Sequence, residues 1–194
     1  AIINYLNLKV PNQINYYNDY KFKNVRKKPN SNFTLLHLDE KWFEGFYHND
    51  YKYMSLNYKN FDLLIKSIFK KFNKKIILTS GNIKINNFDT IIEKNFFKNK
   101  EDIFISKKYK NRLIYFQNTS FRDLEKIVKN SSSIVCCEGA ISHVSNAFNI
   151  KTIALINKLS LKTAIYWTKH MKNIRLVYRD NIKSVCKQIN NVKF

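Results

Sequence analysis

Two rhythms of apolar residues take turns along this chain from residue 33 onward. One is a short unbroken apolar run, the mark of a buried strand; the other recurs every three or four positions, the mark of a helix face. Phe33-Thr34-Leu35-Leu36-His37-Leu38 reads as a strand. Phe61, Leu64, Ile65, Ile68, Phe69 and Phe72 fall at i, i+3, i+4, i+7, i+8 and i+11, one face of a helix whose wet side carries Lys66, Lys70 and Lys71. Ile76 to Thr79 is a second strand, closed by Ser80-Gly81, and a helix is expected from Asp89 to Phe97. Leu113 to Phe116 is a strand, and Ser120 opens a helix with Asp123 three residues on, close to capping-box spacing. Ser133 to Cys137 is a strand, and a helix begins near Ala140. Thr152 to Ile156 and Ile174 to Val177 are strands, and Ile182, Val185, Cys186 and Ile189 mark a last helix.

Strands alternating with helices imply βαβ units and a mostly parallel sheet, hence an α/β, Rossmann-like fold with flanking helices. Sheets of this kind take ligands beyond the carboxyl ends of their strands. Three segments project there, after Leu38, Thr79 and Cys137, and they contain Lys41, Gly81 and Gly139. Residues 1–30 break the rhythm. They hold both prolines, Pro11 and Pro29, and are rich in Asn, Tyr and Lys, so they read as an irregular lead-in or interdomain connection. The regular domain covers 31–194. The chain begins at Ala1 without a methionine, as a trimmed or partial chain would.

Composition narrows the picture. With 194 residues, 44% hydrophobic and 15% aromatic, the chain is long and apolar enough for a packed core. No stretch approaches the roughly 18 uninterrupted apolar residues of a membrane span. The formal net charge is +21. Two origins account for it: a Lys, Asn, Ile, Tyr and Phe bias of the kind AT-rich coding gives, or an anionic partner such as nucleic acid, a membrane face or an acidic acceptor. Cys136, Cys137 and Cys186 form no disulfide or metal framework and read as small reduced core residues of a cytosolic protein.

The candidate chemistry lies in Glu138-Gly139-Ala140-Ile141-Ser142-His143. The first turn of a helix has unpaired N–H groups and partial positive charge, and small residues let an anion approach. In one reading, the backbone from Gly139 to Ser142 seats a diphosphate, Ser142 adds its hydroxyl and His143 a further donor. Glu138, awkward beside phosphate, then accepts hydrogen bonds from a sugar or ribose hydroxyl. In the other reading the segment is an ordinary strand-to-helix turn braced by a carboxylate. Lys41 is placed to neutralise a phosphate as a point charge, with Trp42 packed beneath its loop. His37, His48 and His170 have no ligand spacing. No P-loop, G-x-G-x-x-G, HExxH or G-x-S-x-G occurs, so the usual marks of NTPases, dehydrogenases, zinc proteases and serine hydrolases are missing, and no cofactor is called for.

The run from Ser120 to Ile156 resembles the donor-binding domain of family 9 glycosyltransferases, the ADP-heptose:lipopolysaccharide heptosyltransferase group of bacteria. That family's acid-x-Gly-x-x-His pattern is similar to Glu138 to His143 here in its acid-to-His spacing, and Asn146 to Leu155 continues it. Lys41-Trp42 is similar to the family's Lys-Trp element, and Ile76 to Gly81 to its strand and turn. Glu138 stands where the family usually has Asp, and Ala140 where it usually has Gly. The resemblance implies the C-terminal, donor-binding half of a GT-B fold, with the acceptor domain and catalytic base outside this chain. It also implies metal-independent transfer of a heptose or hexose from a nucleotide diphosphate to a lipopolysaccharide-type acceptor. Lys41, Gly139, Ala140, Ile141, Ser142 and His143 would hold the diphosphate, and Glu138, Ser80 and Gly81 the sugar or ribose. The partners would be the nucleotide sugar, an anionic saccharide or glycolipid and the inner membrane face, with the protein in the cytoplasm. Two other functions compete: a basic nucleic-acid-binding module, resting on charge and on Tyr51-Lys52-Tyr53 and Tyr58-Lys59, and a non-catalytic saccharide-binding relative. The lysines are spread over the whole chain and no RRM, KH or zinc-finger pattern occurs, which weighs against nucleic acid.

Overall fold

A computed structural model describes residues 32–43, 54–81 and 86–194. The expected lead-in at 1–30, His48 and the Tyr51-Lys52-Tyr53 run lie outside the described residues. The elements run β1 (Phe33–Leu38), a 3-10 turn (Glu40–Trp42), α1 (Tyr58–Phe72), β2 (Lys75–Ser80), α2 (Asn86–Asn95), β3 (Phe96–Lys100), β4 (Ile103–Ser106) and β5 (Lys110–Phe116). Then come α3 (Phe121–Asn130), β6 (Ser133–Cys137), α4 (Ala140–Ala147), β7 (Lys151–Ile156), a 3-10 turn (Lys158–Ser160), α5 (Leu161–Thr168), β8 (Ile174–Tyr178) and α6 (Ile182–Asn191).

The strands form one eight-stranded sheet in the order β3-β4-β5-β2-β1-β6-β7-β8. Six are parallel neighbours, from β5 through β8, while β4 runs antiparallel to both β3 and β5. From β1 the chain passes to β2, crosses to the outer edge at β3 and returns inward through β4 to β5 beside β2, then crosses to the other side of β1 and builds outward through β6, β7 and β8. This is the doubly wound, Rossmann-like arrangement, and its reversal of direction opens a crevice beyond the carboxyl ends of β1 and β6.

Each helix forms for local reasons. Asn57 caps α1 by accepting from the N–H groups of Lys59 and Asn60, and left-handed Asn73 ends it. Its apolar stripe, Phe61, Leu64, Ile65 and Ile68, is buried on one face of the sheet with Leu36, Leu38, Ile76 and Leu78. The same face holds α6, and the Ser67 hydroxyl donates to the Cys186 carbonyl at 3.0 Å between the two helices. On the opposite face, α3 and α4 cover Leu35, Ile134 and Cys136. Cys136 and Cys137 therefore point to opposite faces, as strand geometry demands. Ser120 caps α3 through the Asp123 N–H, and its hydroxyl donates back to the Asp123 carboxylate at 2.6 Å.

Three boundaries differ from expectation by two residues or more: α2 starts at Asn86 rather than Asp89, β5 starts at Lys110 rather than Leu113, and the far end of α2 changes in kind. The helix expected to reach Phe97 stops at Asn95, and Phe96-Phe97 opens a hairpin strand instead. Phe96 turns inward against Phe61 and Tyr115, with ring centroids 6.1 and 6.2 Å apart. That aromatic packing outweighs continuation of the helix. The hairpin β3–β4 and helix α5 carry no sequence expectation at all.

Candidate functional site at the sheet reversal

The crevice between β1 and β6 is lined by residues that its flanking strands fix in place. Immediately after β1, Asp39 accepts from the Lys41 N–H at 3.1 Å and starts the 3-10 turn. Trp42 is fully buried and its indole N–H donates to the His37 carbonyl at 3.1 Å, so the turn is pinned from beneath. Lys41 is thereby aimed across the reversal. Its Nζ donates to the Glu138 carbonyl at 2.5 Å and lies 3.9 Å from Glu138 Oε1.

Immediately after β6, the Glu138 N–H donates to the Leu155 carbonyl at 3.0 Å. Gly139 follows at φ +155°, a conformation that L side chains rarely adopt. A Cβ on Gly139 would meet Lys41 Nζ at 3.4 Å, an ordinary contact with the end of a flexible side chain, so glycine suits the position by its conformation. The Ser142 hydroxyl turns back onto Gly139, donating to its carbonyl at 2.7 Å and lying 3.4 Å from its N–H. It works as an internal brace of the turn, and Ser142 itself is buried. The amides of Ala140 and Ile141, at the start of α4, have no intrahelical acceptor by helix geometry. His143 is exposed on the first turn, its ring stacked on His170 with centroids 6.3 Å apart and planes 30° apart.

Lys41, Glu138, Gly139 and the opening of α4 are thus brought together. Ser80 and Gly81 stand apart from them. Ser80 ends β2 and Gly81 follows it, on the other side of β1; the Ser80 hydroxyl is 3.0 Å from the Tyr115 hydroxyl, and the Gly81 N–H donates to the Leu38 carbonyl at 3.1 Å. Sequence reasoning missed three contributors. Arg179, just past β8, is buried, and its Nη2 lies 3.6 Å from Glu138 Oε1. Glu138 is therefore held between two cations, one on each side. Asp39 is a carboxyl enclosed at the crevice floor: burial raises it to about 6, against the lowering pull of Lys41. His170 joins His143 from a different loop. The one signal available for Arg179 and Asp39 was their place directly after strands pointing at the same edge.

The floor below is closed to chemistry. Burial lowers His37 to about 4, and its Nδ1 sits 2.9 Å from the Thr79 hydroxyl. Burial also pushes the Cys136 and Cys137 thiols well above their ordinary range, so neither supplies a thiolate. Among the described residues no group of three His, Cys, Asp or Glu side chains gathers as a metal site. No helix among them is long and apolar enough to cross a membrane.

No family model matches the chain, and no curated protein matches it. Its fold is similar to that of Methanocaldococcus jannaschii UDP-GlcNAc 2-epimerase, solved in complex with UDP-GlcNAc and UDP: 13% identity, TM-score 0.52, covering 92% of this chain and 41% of that one. A second structure of UDP-GlcNAc 2-epimerase from the same organism aligns at 15% identity and TM-score 0.49 over 83% of this chain and 39% of that one. The chain thus spans about two fifths of the length of the structures it resembles. The likeness is one of fold, and it agrees with the doubly wound topology read from the strand order.

Proposed function

We propose that this chain is a nucleotide-sugar-binding domain of GT-B type, the donor half of a family 9-like glycosyltransferase. The observation that carries the reading is the meeting of Lys41, Gly139 and the open first turn of α4 at the sheet reversal. A doubly wound sheet holds its ligand there, and bare helix-start amides beside a lysine suit a diphosphate. That the similar epimerase was solved with UDP-GlcNAc and UDP is in keeping with it.

In this reading the Ala140 and Ile141 amides and the Lys41 ammonium receive the diphosphate, with His143 donating from the solvent side. Glu138, kept in place by Arg179, accepts from a ribose or sugar hydroxyl. The bond between the anomeric carbon and the diphosphate oxygen breaks, and the leaving oxygen takes the electron pair. Positive groups already aimed at that oxygen stabilise its growing charge without reorganising. The acceptor hydroxyl attacks the anomeric carbon, and its proton passes to a base supplied from outside this chain. The +21 charge suits an anionic saccharide or glycolipid acceptor, worked on from the cytoplasmic side of a membrane.

Calorimetric titration with ADP, GDP and UDP, carried to millimolar ligand, tests this. Saturable binding of at least one of them, competed by inorganic pyrophosphate, is the expected result. Folded protein that takes up none of the three ends the proposal.

A further inference from the structure

The segment after β7 does something unusual with its apolar residues. Within α5 only Ala164 is buried. Leu159, Ile165, Tyr166 and Trp167 are 78, 52, 77 and 61% exposed, so the greater part of each large side chain stands in water. Lys162, Ile165, Tyr166 and Lys169 fall at i, i+3, i+4 and i+7, one outward stripe, and Leu159 precedes Lys162 by three. The Tyr166 and Trp167 rings meet edge to face at 6.5 Å.

The charge around this patch is one-sided. Between Glu138 and Asp180 the chain contains no Asp or Glu, whereas exposed Lys158, Lys162, Lys169 and Lys172 rim the patch. We infer that the Leu159–Trp167 surface docks on an anionic lipid membrane, with α5 lying in the plane of the headgroups. Tyr and Trp rings favour the boundary between headgroup and acyl chain, and lysine stems lie along apolar surface while their ammonium groups reach the phosphates. Leu159 and Ile165 decide between lipid and nucleic acid. Bases stack on aromatic rings and would leave both aliphatic side chains in water, whereas the acyl boundary covers them. A symmetric contact with a second copy would set this acid-free, lysine-rimmed patch against itself, a repulsive arrangement. None of Leu159, Lys162, Ile165, Tyr166, Trp167 and Lys169 is among the residues assigned to the diphosphate seat, and the inference stands without the nucleotide reading.

Cosedimentation of the full chain with vesicles of neutral phosphatidylcholine, and with vesicles containing about one third anionic phosphatidylglycerol, is the test. The expected result is binding to the anionic vesicles alone, falling as salt rises. Of the two tryptophans, Trp42 is buried, so a blue shift of fluorescence on binding reports Trp167. Leu159→Ser combined with Ile165→Ser should lower vesicle partitioning at least about tenfold, and Lys162→Glu combined with Lys169→Glu should do the same. All four positions are exposed, so folding by circular dichroism stays unchanged. The inference falls if anionic vesicles are not bound, or if they bind both variants as well as the parent. It also falls if the same substitutions abolish oligonucleotide binding or dimerisation instead. Diphosphate calorimetry without lipid is untouched by either variant, so loss of the nucleotide reading and loss of this one give different results.

Discussion

Helices α4 and α5 are both eight residues long, and both follow the carboxyl end of a central parallel strand. They use that position in opposite ways. In α4 one face is packed, with Ile141, Ser142 and Ser145 buried, while Ala140, His143 and Ala147 are exposed, and the first-turn amides have no intrahelical acceptor. In α5 almost nothing is buried, and the helix offers Ile165, Tyr166 and Trp167 themselves. The entry explains the difference. Gly139 at φ +155° and the Ser142 brace bring the chain from β6 straight into α4, tight against the sheet. The chain leaves β7 through Asn157 and a separate 3-10 turn before α5 begins. A tight entry makes a backbone site, and a loose one makes a side-chain surface.

The contrast breaks most visibly under truncation. Ile141→Ala should cost about 2–4 kcal/mol in urea unfolding, whereas Ile165→Ala should stay within about 0.5 kcal/mol. Equal losses would mean that α5 is packed after all. Gly139→Asp comes next. It forces a side chain into a conformation reserved for glycine and sets a carboxylate beside Lys41, and nucleoside diphosphate affinity should fall about a hundredfold. Tyr166→Ser should leave that affinity unchanged.

The floor of the α4 site should also respond to pH, in a way α5 cannot. His37 is lowered from 6.5 to about 4, so its contribution to stability rises with pH between those values. Asp39 is raised from 3.8 to about 6, so its contribution falls with pH over almost the same window. The two slopes oppose each other in the parent protein. Asp39→Asn should expose the rising slope, up to about 3 kcal/mol between pH 4 and 6.5, and His37→Gln the falling one. Parallel stability profiles for parent and both variants would show that neither group titrates there. The smallest effect is expected for Lys41→Ala, about a tenfold loss of diphosphate affinity with unfolding nearly unchanged.

The sequence made the parallel core legible because its strands and α1 bury what their periods say they bury. Phe33 to Leu38 and Ser133 to Cys137 are strands over those same residues. The meeting of Lys41 with Gly139 followed from that order, since both segments leave neighbouring strands at the same edge. The hairpin was hidden because Phe96 and Phe97 extend the apolar run of α2, and an edge strand with one buried residue shows no alternation. Helix α5 was hidden for the converse reason: its apolar side chains mark no core. Arg179 was lost among 35 basic residues, and only its burial against Glu138 sets it apart.

The hairpin strand β3 ends the sheet, and it carries Lys98 and Lys100 with an irregularity in its pairing between them. Outermost strands are where one molecule can zip onto the next, and clustered ammonium groups on a kinked ribbon frustrate that growth. A chain so rich in isoleucine, tyrosine and phenylalanine carries at that end its own guard against fibre formation.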